Sequence, residues 1–208
     1  MENIDLEALK KSADAKPRVN VGIIGDVAIG KRGVILAITK VLTDKGLAQI
    51  ISNDEEGDAL KMTIEVNHTE YSMDSMITGS VQMNVAILVV NAHDGPMPHT
   101  KADIELARQA NVPASAIVVF LDKCDEVEDN ELLDLEEMET SELLKQYGFP
   151  VDKTPVIRGS ALKALGDDKE GVDSILKLME AVERISLPQR IAMLEQSVDN
   201  LGVLLNKR

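Results

Sequence analysis

At 208 residues the chain has room for one sizeable domain with extensions, and 44% hydrophobic against 28% charged residues is the balance of an ordinary globular fold. A net charge of −14 leaves no surplus of lysine and arginine to displace counterions, which argues against broad nucleic-acid binding, and a lone cysteine, Cys124, excludes an internal disulfide and fits a reducing cytosol. No long apolar run or leader is visible, so neither a membrane nor secretion is expected, and with aromatics at 2% the core must be built from Val, Ile, Leu, Ala and Met.

Residues 1–15 contain ENIDLEALKKSA, with Ile4, Ala8 and Leu9 on one side of a helical pattern, and predict a short helical extension. Next comes a short apolar β-branched run, 19–24, and a helical pattern over 31–45. Residues 52–58, SNDEEGD, read as a polar loop. The segment 62–70 alternates, with Met62, Ile64, Val66 and His68 on one side and Thr63, Glu65, Asn67 and Thr69 on the other. That is the pattern of a half-buried edge strand. Helical patterns follow at 74–83, 99–110, 130–147 and 171–184. Between them lie VAILVV (85–90), AIVVFL (116–121) and TPVI (154–157), whose near-continuous apolar character is that of strands covered on both faces. This alternation predicts an α/β three-layer sandwich on a mainly parallel sheet of about five strands. From Leu187 the aliphatics Leu187, Ile191, Leu194, Val198, Leu201 and Leu205 follow heptad spacing, so 187–208 is expected to be an amphipathic helix.

Between the first strand and the first helix stands GIIGDVAIGKRG. Gly25 and Gly30 are spaced to let backbone N–H groups wrap phosphates at a helix N-terminus, and Lys31 would reach the outer phosphates. Arg32, however, occupies the place of the hydroxyl residue that such loops carry, and Asp26 adds a negative charge within the loop. The residues leave two readings open, a phosphate site and a retained structural turn. His68, His93 and His99 lack ligand spacing, and the acidic run 125–142 reads as a solvated helix face.

The stretches KPRVNVGIIGDVAIGK, AITKVL, MITGSVQMNVAILVVNAHDGPMPHTK, VVFLDKCDEVEDNELLDLEEME and TPVIRGSALKAL resemble the GTP-binding domain of elongation factor Tu over roughly residues 16–190, without the family's two β-barrel domains. The resemblance implies a P-loop GTPase-derived fold over 16–186 and a site for GDP or GTP. Lys123 and Asp125 of Asp122-Lys123-Cys124-Asp125 would meet the guanine, and Ser160, Ala161 and Leu162 would support it. Asp122 replaces the family's asparagine and cannot donate, Arg32 replaces a magnesium-ligating hydroxyl, and Thr63, which matches a switch threonine, reads as a solvent-facing strand residue. HTEYS runs through MDS directly into MITGSVQM. The strand bearing the family's D-x-x-G motif and its histidine is therefore expected to be missing, and the 62–70 strand to lie parallel to 19–24 in its place. That gives a flavodoxin-like order 2-1-3-4-5.

Such an excision, with altered site residues, fits an engineered or laboratory-evolved chain or a decayed natural paralogue. Three functions follow: a degenerate scaffold with weak or no guanine-nucleotide binding, no catalytic residue and no magnesium; a residual slow GTPase; or an interaction protein dimerising through its C-terminal helix. Folding of that helix back on a monomeric body is the favoured expectation, with a homodimer the alternative.

Overall fold

Strand β1, Arg18–Gly25, is the centre of the sheet: Val19, Val21, Ile23 and Ile24 are buried, and both its edges are paired. The computed structural model describes residues 16–25, 28–57, 59–75, 82–110 and 112–206; the expected N-terminal helix lies outside them, as does most of the helix expected at 74–83. In chain order the elements are α1 (Ala28–Asp44), β2 (Ala48–Glu56), β3 (Ala59–Val66), β4 (Thr69–Asp74), β5 (Val85–Asn91), α2 (Pro98–Gln109), β6 (Ile117–Asp122), α3 (Asn130–Gln146), β7 (Val156–Arg158), α4 (Ala161–Leu165) and α5 (Lys169–Asn206).

The sheet has seven strands in the order β2-β3-β4-β1-β5-β6-β7. Its five parallel members alone, β4-β1-β5-β6-β7, run 2-1-3-4-5 as expected. Of the two further strands, β2 was expected as loop over 52–56, and β3 takes residues 62–66 of the strand expected at the edge, which the sheet places inside, between β2 and β4. The segment 62–70 is not one strand parallel to β1 but the greater part of an antiparallel hairpin. Val66 pairs with Thr69 across Asn67 and His68, whose φ angles of 48° and 61° are those of a tight two-residue hairpin turn that follows strand twist. It is Thr69–Asp74 that pairs parallel with β1, Val19 opposite Tyr71 and Val21 opposite Met73. The place beside β1 is therefore filled by Thr69–Asp74 rather than by 62–70, and the next strand out, β3, is antiparallel to it. Asp74 lies in a strand and Gln82 and Met83 outside any helix, so both ends of the helix expected at 74–83 are corrected. Residues 52–56, expected as loop, belong to β2, which pairs with β3 through an irregularity between Ile50 and Ser52 and leaves Ile50 and Ile51 exposed at the edge.

Helices cover both faces. Val34, Ile35, Ile38 and Val41 of α1 and Ile175, Leu178 and Val182 of α5 pack with Val21, Ile23, Ile64 and Tyr71. On the other face Ile104 and Ala107 of α2 and Leu133, Leu143 and Leu144 of α3 meet Ile24, Leu88, Val90, Val119 and Leu121. Each such side chain contributes about 1.5–3 kcal/mol on burial, enough to fix the helices on the sheet. Local chemistry sets the helix starts: Asp129 accepts the Glu131 N–H at 2.8 Å, and Pro98 opens α2 while Thr100 Oγ1 accepts from the Met97 N–H.

The C-terminal helix departs from expectation. Residues 187–206 do not fold back on the body but continue α5 through Pro188 as one helix. Leu187, Ile191, Leu194 and Val198 are each about half exposed or more. At the root of this extension Arg190 Nη1 donates to the buried Tyr71 hydroxyl at 3.2 Å.

Candidate functional site

The carboxyl ends of the parallel strands, with the first turns of α1 and α4, surround a cavity of about 380 Å³. This is where open α/β sheets place ligands. Its wall from β6 and α4 is built by two crossed tethers. The Gly159 N–H donates to Leu121 O, and the Cys124 N–H donates to Gly159 O, each at 3.0 Å. Between them Asp122, buried at the end of β6, accepts the Ala161 N–H on Oδ1 at 2.8 Å. Asp122 was expected to be a loss because it cannot donate; what the loops use is its acceptor oxygen, which a carboxylate retains. Burial pushes its pKa up, while the N–H groups of Ala161 and Lys123 pull it down and the Asp125 charge adds to the rise.

Six of the eight predicted site residues, Gly30, Lys123, Asp125, Ser160, Ala161 and Leu162, line this one cavity. Lys123 adopts a left-handed φ of 62°, which turns the chain so that Lys123 and Asp125 both face it. Ser160 caps α4 by accepting the Lys163 N–H at 3.1 Å, and Leu162 projects with most of its side chain exposed. Asp125 and Lys123 at one end and a short apolar floor from Val89 and Leu165 make a slot for a flat, hydrogen-bonding ring. Cys124 is not at hand for chemistry: its Sγ faces Leu121 O at 3.1 Å, and burial first, with the nearby Asp122 and Asp125 charges, raises its pKa.

The other two predicted residues, Gly25 and Lys31, meet elsewhere. Gly25 has φ of 108°, and a Cβ there would lie 2.0 Å from the Val89 carbonyl oxygen, so the close approach of β1 to β5 requires glycine. Its N–H donates to Oδ2 of Asp103, on α2, at 2.9 Å, and Lys31 Nζ stands 3.8 Å from the same oxygen. Asp26 lies outside the described residues.

The residues do not fit a magnesium ion. Arg32 stands at the hydroxyl position, its Nη1 donating to Gly57 O at 3.2 Å and its Nη2 pairing with Glu55 at 3.3 Å. Thr63, expected to face solvent, is buried, with its hydroxyl 3.5 Å from Ser72 Oγ inside the β3–β4 ladder. Asp74 does end β4 beside β1, where the resemblance places a metal-holding aspartate, but the chain continues Ser75-Met76-Ile77 and supplies no glycine three residues on. With Arg32 at the hydroxyl position, Asp74 alone does not supply the two protein ligands of a phosphate-bound magnesium.

Sequence reasoning missed Asp74 and Asp103. Asn67-His68 was the available signal for the first: a turn residue at the midpoint of two alternating runs marks a hairpin, and histidine in place of the usual glycine hid it. For Asp103 no signal existed, since its partner Gly25 is 78 residues away.

Residues 68–188, more than half of the chain, match the family model described as Elongation factor Tu GTP binding domain. The matched span starts at the β3–β4 turn and includes every element on the Lys123, Asp125 and Ser160 side of the cavity.

Proposed function

This chain belongs to the elongation factor Tu GTP-binding domain family, and from that premise we propose that it is a degenerate member, a folded scaffold with weak or no guanine-nucleotide binding and no efficient GTP hydrolysis. The observation that carries this reading is Arg32. It stands where a metal-ligating hydroxyl is needed, and its guanidinium is tied to Gly57 and Glu55. Phosphoryl transfer depends on positioned cations and a positioned water far more than on covalent chemistry. With a fixed arginine at the metal position and Ile77 in place of the motif glycine, neither element is supplied. The base slot lined by Lys123, Asp125 and Ala161 is retained and supports a low residual affinity for guanine.

The experiment is a titration with fluorescent GDP and GTP, with and without magnesium, followed by a phosphate-release assay. The reading expects weak binding that a chelator leaves unchanged and release at the buffer rate. Submicromolar GTP affinity that collapses on chelation, or turnover above buffer, would overturn it.

A second reading, an interaction protein, is favoured by one observation: the exposed Leu187, Ile191, Leu194 and Val198 stripe follows heptad spacing, a self-complementary seam suited to a second copy of this chain. Light scattering tests it, with a mass of about 22.6 kDa at all concentrations as the contrary result. No described helix is long and apolar enough to cross a membrane, and the charge of −14 speaks against nucleic acid as partner.

A further inference from the structure

The Asp103 carboxylate engages both kinds of group with which a phosphate loop holds its ligand, a backbone N–H and the lysine ammonium. Oδ2 accepts the Gly25 N–H at 2.9 Å and stands 3.8 Å from Lys31 Nζ. The pair is well shielded, with side-chain exposures of 19% for Lys31 and 25% for Asp103, so water screens it only in part. Asp103 is also held firmly. Its neighbours Ile104 and Ala107 are fully buried and Thr100, one turn earlier, bonds the helix start, so α2 presents the carboxylate from a packed face rather than from a loop.

We propose that Asp103 is a resident anion of the phosphate loop, and that the cavity beside it therefore selects a guanine nucleoside without phosphates over the corresponding di- or triphosphate. An incoming phosphate must either share the site with a like charge or displace Asp103 from the Gly25 N–H and Lys31, and both options cost affinity. The base slot is untouched by this, because Asp103 does not line the cavity that Lys123, Asp125, Ser160 and Ala161 form. That cavity, at about 380 Å³, is at the small end of ligand pockets, which run from about 300 to 1,000 Å³, and suits a nucleoside. The inference rests on the degenerate reading above and assigns the ligand class that the retained slot accepts.

The test is calorimetric titration of the full chain with guanosine, GDP and inorganic pyrophosphate, in the unsubstituted protein and in Asp103→Asn, Asp103→Ala and Asp103→Glu, each first checked for an unchanged melt. The unsubstituted protein is expected to bind guanosine at least as tightly as GDP and to ignore pyrophosphate. Asp103→Asn and Asp103→Ala are expected to gain about tenfold or more for GDP with guanosine unchanged, since a charge-assisted contact no longer blocks the loop. Asp103→Glu, which keeps the charge, should retain the exclusion. Three results would overturn the proposal: an unsubstituted protein that prefers GDP tenfold over guanosine, neutral variants whose GDP affinity does not rise, or no guanosine binding at millimolar concentration. The last leaves the degenerate reading standing, whereas tight magnesium-dependent GTP binding would overturn that reading first.

Discussion

Asp122 Oδ1 and the Ala161 backbone nitrogen lie 2.8 Å apart across 39 residues of sequence, and this contact joins the end of β6 to the start of α4. The cost of the contact is a buried carboxylate whose pKa is pushed above its ordinary value of 3.8 chiefly by burial. A raised carboxyl pKa means that the folded state binds the proton more tightly than the unfolded one, so this group's contribution is greatest below pH 3.8 and is lost as pH rises through the folded pKa. Asp122→Asn keeps the acceptor oxygen and removes the charge; it is expected to raise stability at pH 7 by about 1 kcal/mol, whereas Asp122→Ala strands the Ala161 N–H and should cost about 1–3 kcal/mol. Urea denaturation of both variants checks the pair of signs.

Glu136 carries the same logic further. It is buried on α3, its Oε2 has no hydrogen-bond partner, and burial, with the nearby Glu139 and Asp94 charges, raises its pKa from 4.5. The proton is again held more tightly in the folded state, so stability is fullest below pH 4.5 and declines as pH rises through the folded value. Glu136→Gln is expected to remove this decline and to gain about 1 kcal/mol at neutral pH by eliminating an unpaired buried charge. Thermal melts of both proteins across pH 4–8 should converge at the acid end (roughly where the side chain is neutral in both states). A constant offset over the whole range would contradict the assignment.

Gly25 and Gly33 flank the phosphate loop and should respond oppositely to alanine. A Cβ at Gly25 meets a backbone carbonyl oxygen at 2.0 Å with φ at 108°, while one at Gly33, within α1, meets nothing within 4 Å. Gly25→Ala is expected to lose about 2 kcal/mol or more through clash and strain. Gly33→Ala should gain about 0.5–1 kcal/mol from helix propensity. Denaturant midpoints decide both.

Arg32→Thr restores a hydroxyl at the metal position and releases Glu55 and Gly57. Asp74 ends β4, yet the motif glycine is still absent, so a several-fold gain in GDP affinity with magnesium and no turnover is expected. Hydrolysis restored by this single change would show that Ile77 is no obstacle.

The parallel core was legible because each of its strands is short, β-branched and buried on both faces, a pattern that period alone reveals in 19–24, 85–90 and 116–121. The base slot was legible for a different reason: Lys123, Asp125 and Ser160 sit in contiguous motifs whose geometry is set locally by the Lys123 turn and the Ser160 cap. The hairpin failed because 62–70 was read as one alternating strand, whereas the inward set moves from Met62, Ile64 and Val66 to Thr69, Tyr71 and Met73, a shift of one position that becomes visible only beyond residue 70. Asp103 failed because its role exists only once α2 is packed on β1. No local period reports a contact between helix and loop.

The C-terminal extension gives the sharpest test of how far the body reaches. Folding back on the domain would bury the heptad stripe and make any charge there costly. The structure instead carries α5 outward past Arg190, leaving Leu194 48% and Val198 66% exposed. Leu178, four turns earlier on the same helix, is fully buried against the sheet. A charge at Leu194 therefore has water to solvate it, and one at Leu178 does not. Leu194→Asp is expected to stay within about 0.5 kcal/mol of the unsubstituted protein, the range of surface substitutions. Leu178→Asp should lose roughly 4 kcal/mol or more, since it both empties a core position and buries a carboxylate. In a protein of this size about 1 kcal/mol moves the melting temperature by roughly 2–4 °C, so scanning calorimetry at low protein concentration separates the two outcomes. A Leu194→Asp protein that melts as early as Leu178→Asp would return the extension to the body and remove the free stripe from further consideration.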